Sequence, residues 1–116
     1  MAHIKLYRKA LKQNFEFLKS LFEENDMDWC VVTKVLCGNE DLIEEVIRQG
    51  IRQVGDSRAS NLKVVKEIDP SVKTIYIKPP AKDSIEDIVR YADISMNTEY
   101  YTLKLLSDEA VKQKKI

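Results

Sequence analysis

Apolar residues along the chain follow two different spacings. Over residues 4–25 they recur every three or four positions with lysines and glutamates between them, which predicts an amphipathic helix. The run over residues 29–34 is instead short, nearly continuous and rich in β-branched side chains, as in a buried parallel strand. Gly38 and Asn39 then separate this strand from a second helical pattern. The chain therefore opens with helix, strand and helix.

Three further strand and helix pairs follow in the same order. The predicted strands cover residues 51–54, 72–78 and 93–97, and helical patterns open near Arg58, Ser84 and Glu99. Strict alternation of this kind predicts an α/β fold built on a parallel sheet. Two architectures accommodate four such units: an open doubly wound sheet, or the N-terminal half of a TIM-type (β/α)8 barrel, which typically needs about 250 residues.

Composition narrows the class of protein. The chain has 116 residues, the size of one domain, and 19 basic residues balance 19 acidic ones, which argues against nucleic acid or an anionic membrane as partner. Two cysteines and one histidine show no metal-ligand spacing, so no structural metal is expected. Neither a signal peptide nor a membrane span is evident, which indicates a cytoplasmic protein with reduced thiols. Cys37 is expected to be a small buried hydrophobe.

Candidate functional residues lie in the connections from strands to helices, because functional residues of parallel α/β folds gather at the carboxyl ends of strands. These positions hold polar side chains after all four strands: Lys34, Asp56, Ser57, Arg58, Lys78 and Asn97. Helix capping alone accounts for Asn39, Ser57 and Thr98. No Gly-rich phosphate motif and no Ser/His or Cys/His pair is present, which disfavours the usual nucleotide sites and hydrolytic catalysis.

Lys34 stands out because it lies in the strand expected to be central. Removing water from an ammonium is costly unless the group is paired or loses its proton, so a lysine between apolar neighbours points to a special environment. The alternative is that the strand ends at Lys34 and its methylene stem carries the amine out to solvent.

Three segments together carry a resemblance to a known family. They are the Val31-Val32-Thr33-Lys34-Val35 run with Gly38 beyond it, the stretch 50–58 followed by Asn61 and Leu62, and the stretch 93–99. The chain resembles the pyridoxal-phosphate-dependent amino-acid racemases of the alanine racemase type (fold type III). The second and third segments are most similar to the ornithine racemase branch of these isomerases. The resemblance runs over nearly the whole chain.

The resemblance implies a fold, a cofactor and a site. Residues 1–116 would form a single partial barrel domain, truncated before the later strands. Lys34 is implied to form the Schiff base with pyridoxal phosphate and, once displaced by the amino-acid substrate, to act as a base at the substrate Cα. Ser57 and Asn97 are candidates for lining the cofactor, and Asp56 or Arg58 for contacts near it.

The barrel resemblance also implies what is missing. Four strands provide no counterpart for two parts of the family's site. The first is the set of later strands, which in the family hold the cofactor phosphate and pyridine nitrogen. The second is a base for the opposite face of the substrate. We therefore expect an N-terminal racemase fragment without appreciable activity of its own. Its two open sheet edges predict self-association into a homo-oligomer.

Two other functions remain open from the sequence. A non-catalytic pyridoxal-phosphate-binding homeostasis protein would carry a similar strand lysine, although that family has Gly-Glu-Asn where this chain has Gly55-Asp56-Ser57. A self-contained α/β module acting through partner contacts would need no special role for Lys34.

Overall fold

The computed structural model describes residues 2–115, which alternate between helix and strand in the expected order. The helices are α1 (Arg8–Glu24), α2 (Glu40–Ile47), α3 (Ala59–Ile68), α4 (Ile85–Tyr91) and α5 (Tyr100–Lys112). The strands are β1 (Val31–Val32), β2 (Gln53–Asp56), β3 (Lys73–Tyr76) and β4 (Ile94–Ser95). Two single 3-10 turns cover Lys34–Leu36 and Lys82–Ser84. The sequence also allows a further strand to start at Ile116, and this residue lies outside the described ones.

Local chemistry explains several of these boundaries. The Asn39 side chain accepts a hydrogen bond of 3.1 Å from the Leu42 N–H, as predicted for the N-cap of α2. Helix α3 ends at Ile68, and Asp69 is extended because the following Pro70 disfavours helix at the residue before it. Strand β2 begins two residues later than predicted. Ile51 was predicted to start the strand because it is apolar. It is buried in the core but precedes the strand, so its apolar side chain indicates burial and not strand pairing.

All four strands are parallel and lie in the order β1-β2-β3-β4. The register aligns Val32, Gly55, Ile75 and Ile94 across the sheet. Sequential order contains no strand-order reversal of the kind that defines a doubly wound sheet, and it is compatible with a partial barrel. The central position expected for β1 is wrong, because β1 and β4 are the two edge strands of this sheet.

The two faces of the sheet differ in burial at the edge strands, whereas the central residues Gly55 and Ile75 are buried. On one face Val54, Asp56, Thr74 and Tyr76 lie beneath the helices and are buried. Alternation places Val32, Gly55, Ile75 and Ile94 on the opposite face. There, Val32 is 48% exposed and Ile94 43% exposed. The helices thus cover one face of the sheet and leave edge-strand residues of the other face open to solvent.

Two apolar clusters form the core. One joins α1 and α2 to β1 and β2, and the other joins α3, α4 and α5 around Tyr76. Helix α1 packs Phe15 and Phe22 against Trp29, with ring centroids 5.4 and 5.3 Å apart. The body measures 44 × 42 × 23 Å, and its smallest dimension corresponds to one sheet plus one helical layer. None of the helices within residues 2–115 is long and apolar enough to cross a bilayer.

Candidate functional site

The predicted site residues gather at one edge of the sheet. Because all strand pairs are parallel, the carboxyl ends of β1 to β4 meet at this edge. Lys34 follows β1, Ser57 and Arg58 follow β2, and Asn97 follows β4. We call this the carboxyl edge.

Lys34 occupies the second of the two environments that the sequence left open, at the end of the strand and in contact with solvent. It is exposed and begins the 3-10 turn Lys34–Leu36, so it lies outside the strand. The strand ends because Thr33 leaves the extended conformation, with φ −100° and ψ 12°, after its N–H has donated a bond of 3.0 Å to the Gly55 carbonyl. Of the two environments that the sequence left open for Lys34, the apolar one is therefore wrong for this chain, and the end of the strand is confirmed. Its amine stands at the mouth of the strand, within reach of solvent.

A buried polar network lies directly below Lys34 and is centred on Asp56. The Asp56 side chain is fully buried, with 0% exposure. Its Oδ2 accepts a bond of 3.0 Å from the Thr33 hydroxyl. Its Oδ1 accepts bonds from the Arg58 N–H (3.0 Å) and from the Asn61 side-chain amide (3.1 Å). A carboxyl group so far from water is tolerated because both oxygens find donors.

The loop that carries Lys34 ends in an unusual backbone turn. Cys37 has φ +50° and Gly38 has φ +74°, both in the left-handed region. The turn brings Gly38 against Asn61, where a Cβ added to the glycine would lie 2.5 Å from Asn61 Oδ1. Cys37 is exposed, so the buried position expected for it is wrong: the turn directs its side chain outward.

Ser57 and Arg58 follow β2, the strand that pairs with β1. Ser57 is half-buried, and Arg58 is exposed and precedes α3. Asn97 follows β4, the far edge strand, which lies three strand spacings or roughly 14 Å from β1 along the sheet. Ser57 is thus the predicted cofactor-lining residue that strand order places nearest to Lys34. The contacts predicted for Ser57, Asn97, Asp56 and Arg58 remain predictions.

Asn97 carries an unusual polar atom. Its amide nitrogen donates to the Ser95 carbonyl (3.2 Å) and the Ser95 hydroxyl (2.9 Å). Its Oδ1 is buried and has no hydrogen-bond partner among the described residues. A buried acceptor in this state costs about 1–3 kcal/mol, so Asn97 is a natural contact for a donor arriving at the carboxyl edge.

Tyr76 closes β3 beneath the carboxyl edge, next to Asp56 in the register. Burial, followed by the negative charge of Asp83, raises the pKa of the Tyr76 hydroxyl. Both effects disfavour the phenolate. Tyr76 therefore remains neutral at physiological pH and serves as a core side chain.

A cavity of about 170 Å³ lies at the opposite end of the sheet. Its walls include Phe15, Trp29 and Gly50, which precede β1 and β2 or belong to α1. This position is far from the strand ends where parallel α/β folds assemble their sites, so we locate the candidate site at the carboxyl edge. Within residues 2–115, no cluster of three or more His, Cys, Asp or Glu side chains is placed to hold a metal ion.

Thr33 and Asn61 are functional candidates that sequence reasoning missed. Thr33 is 1% exposed and Asn61 6% exposed, and both bond to Asp56. The sequence did contain a signal that Asp56 has hydrogen-bond donors nearby. Asp56 shares its face of β2 with Val54, and a carboxyl group on the apolar face of a strand requires nearby donors.

Comparison with known proteins adds an independent observation. Over 100 residues, 86% of this chain, the sequence is 37% identical to an ornithine racemase of Acetoanaerobium sticklandii. The chain spans 28% of the length of that relative. No family model matches the chain. The similarity supports a racemase-related family for this chain.

Proposed function

We propose that this chain is the N-terminal part of a pyridoxal-phosphate-dependent amino-acid racemase and that Lys34 holds the cofactor. The observation that carries the proposal is the position of Lys34. It is an exposed amine immediately after β1, at the carboxyl edge of a parallel sheet, in a chain similar to an ornithine racemase. The four strands would be the first four of a (β/α)8 barrel.

The residues at the carboxyl edge fit an anionic aldehyde such as pyridoxal phosphate. Lys34 supplies an accessible amine for the aldehyde. Asn97 Oδ1, a buried acceptor without a partner among the described residues, suits an N–H or O–H donor of the ligand and not its phosphate. Exposed cations follow each of the first three strands: Lys34, Arg58 and Lys78. Positive charge along this edge favours a phosphate-bearing ligand.

The proposed chemistry is proton exchange at the Cα of an amino acid. When bound, pyridoxal phosphate supplies an electron-withdrawing ring that acidifies this position. Lys34 would hold the cofactor through its amine and then carry a proton at that nitrogen to and from one face of the substrate. Racemisation needs a second proton carrier on the opposite face. We propose that this carrier, like the specificity for small or basic amino acids, comes from parts of the enzyme beyond this chain.

The first test is chemical capture of the cofactor. We expect pyridoxal phosphate followed by borohydride reduction to attach to Lys34 ahead of the other lysines, as mapped by mass spectrometry after digestion. Competing amino acids should reduce the attachment. The variant Lys34→Arg keeps the charge but lacks the primary amine and should lose the modification. The variant Lys104→Arg removes another exposed lysine, on α5, and should leave capture at Lys34 unchanged.

The second test is turnover. The purified chain should show no measurable racemisation of alanine, ornithine or lysine, because it holds only one of the two proton carriers. Racemisation by the pure chain would contradict the fragment proposal, and attachment scattered equally over surface lysines would contradict the role of Lys34. A longer polypeptide that retained the cofactor without turnover would indicate the non-catalytic homeostasis function instead.

A further inference from the structure

The loop that carries Lys34 is attached to β2 at both of its ends. At its start, the Thr33 hydroxyl bonds to Asp56 Oδ2 at 3.0 Å. At its end, Gly38 packs on Asn61, and the Asn61 amide bonds to Asp56 Oδ1 at 3.1 Å. One buried carboxyl group therefore connects to both ends of a segment whose first residue is Lys34.

The loop conformation needs such support. Two consecutive residues, Cys37 and Gly38, have left-handed backbones. For a residue with a side chain, such as Cys37, this conformation costs about 1–2 kcal/mol and persists only where the surroundings enforce it. Asn61 supplies the surface against which the turn packs, and Asp56 fixes the orientation of the Asn61 side chain.

Asp56 is badly placed to contact a ligand itself. Its side chain is 0% exposed and lies on the helix-covered face, and both oxygens are already bonded to protein donors. We propose that Asp56 is a positioning residue, which acts through Thr33 and Asn61 to hold the Lys34 amine at the carboxyl edge. This inference rests on the proposed function, in which Lys34 captures the cofactor. It replaces the direct contact predicted for Asp56 with an indirect role.

The decisive variant is Thr33→Val, which keeps the shape of the side chain and removes one bond to Asp56. Two quantities are measured: the rate of pyridoxal phosphate attachment at Lys34 relative to Lys104 in the same molecule, and hydrogen exchange of the amides of residues 35–38. Losing one buried hydrogen bond should speed this exchange about tenfold and lower the Lys34 to Lys104 ratio by a similar factor. The conservative variant Thr33→Ser retains the hydroxyl and should restore both values.

Thr102→Val is the matched control. Thr102 is also a buried threonine, but its hydroxyl bonds to the Glu99 carbonyl within the first turn of α5, on another element of the fold. This variant should leave both quantities unchanged. Asp56→Asn removes the charge and places a donor where the network needs an acceptor, so its effect should exceed that of Thr33→Val. If Asp56→Asn does not fold, the comparison of Thr33→Val with Thr33→Ser still tests the positioning role of Asp56.

The outcomes separate the inference from the function on which it rests. A wild-type chain in which Lys34 is modified no faster than Lys104 contradicts the proposed function. A preference for Lys34 that survives unchanged in Thr33→Val and in folded Asp56→Asn contradicts the positioning role alone. The positioning role is likewise contradicted if Thr33→Ser fails to restore the preference, or if Thr102→Val lowers it equally.

Discussion

At the scale of single residues, glycine controls the path of the chain around Lys34. Gly38 combines a positive φ of +74° with close contact to Asn61, whereas Gly50 has a positive φ of +92° and open space where its Cβ would lie. Both positions therefore favour glycine for its backbone conformation, but only Gly38 also favours it for packing. This difference provides a controlled comparison within one chain.

We expect Gly38→Ala to destabilise the protein about 2 kcal/mol more than Gly50→Ala. Both substitutions force alanine into the left-handed region, at a cost of about 1 kcal/mol each. Only Gly38→Ala also places a methyl group 2.5 Å from Asn61 Oδ1, which adds the cost of overpacking. Urea unfolding of the two variants and the wild type measures the difference. Equal losses would show that Asn61 moves aside without cost and that it does not support the loop.

At the scale of elements, a second polar network links α3, β3 and β4. Lys66 Nζ donates to Asp93 Oδ2 (2.6 Å) and to the Val72 carbonyl (2.9 Å). Thr74, which is buried, donates from its backbone N–H to the same carboxylate oxygen at 2.9 Å. Partial burial raises the pKa of Asp93, but the bonds from Lys66 and Thr74 outweigh it and hold the pKa below its ordinary value.

This network should make stability depend on pH. The pKa of Asp93 is lower in the folded state than in the unfolded one. Its contribution to the free energy of unfolding is therefore fully present above the ordinary carboxyl pKa of about 3.9, and it is lost as pH falls through the pKa of the folded state. We expect Asp93→Asn to cost about 1 kcal/mol near pH 7, a modest value because solvent screens a partly exposed pair. The cost should shrink below about pH 4.

Thermal unfolding of wild type and Asp93→Asn across pH 2–7 measures this dependence. Asp108→Asn removes an equal charge from an exposed position on α5 and should show little change at any pH. If the destabilisation caused by Asp93→Asn stayed constant down to pH 2, it would come from lost packing and not from the lost charge.

At the scale of the whole molecule, the chain is flat and open. Its radius of gyration is 15.4 Å, compared with about 13 Å for a compact domain of this length. Among residues 2–115, β1 and β4 each pair with another strand on one side only. The apolar side chains of Val32, Ile94 and Met96 are about half exposed. Parallel edges with apolar side chains are templates for pairing with another chain.

We expect the chain to associate with a second copy through these edges and the open face. Light scattering over a concentration series should show a mass above that of the 13.5 kDa monomer. The variants Val32→Lys and Ile94→Lys should shift the equilibrium towards monomer, since charge on an edge strand opposes pairing. Val111→Lys changes an exposed valine on α5 and should not. A monodisperse wild-type monomer at high concentration would contradict the prediction.

The class and order of the elements can be read from the amino-acid sequence. Alternating apolar spacings predicted α1 to α5 and β1 to β4, and Asn39 and Pro70 marked the start of α2 and the end of α3, because caps and helix breakers act locally. The sequence also placed Lys34, Ser57, Arg58 and Asn97 at strand ends, where parallel pairing brings them to one edge.

The neighbours of each strand and the environment of each site residue depend on tertiary contacts. Strand order made β1 an edge strand, and the turn after Thr33 carried Lys34 out to solvent, because both depend on which chain segments become neighbours in space. The bond between Thr33 and Asp56 joins residues 23 positions apart, a separation at which local spacing carries no information. The candidate site was therefore visible in the sequence as a set of residues that included Asp56, whereas the bonds from Thr33 and Asn61 to its carboxyl group became visible through the fold.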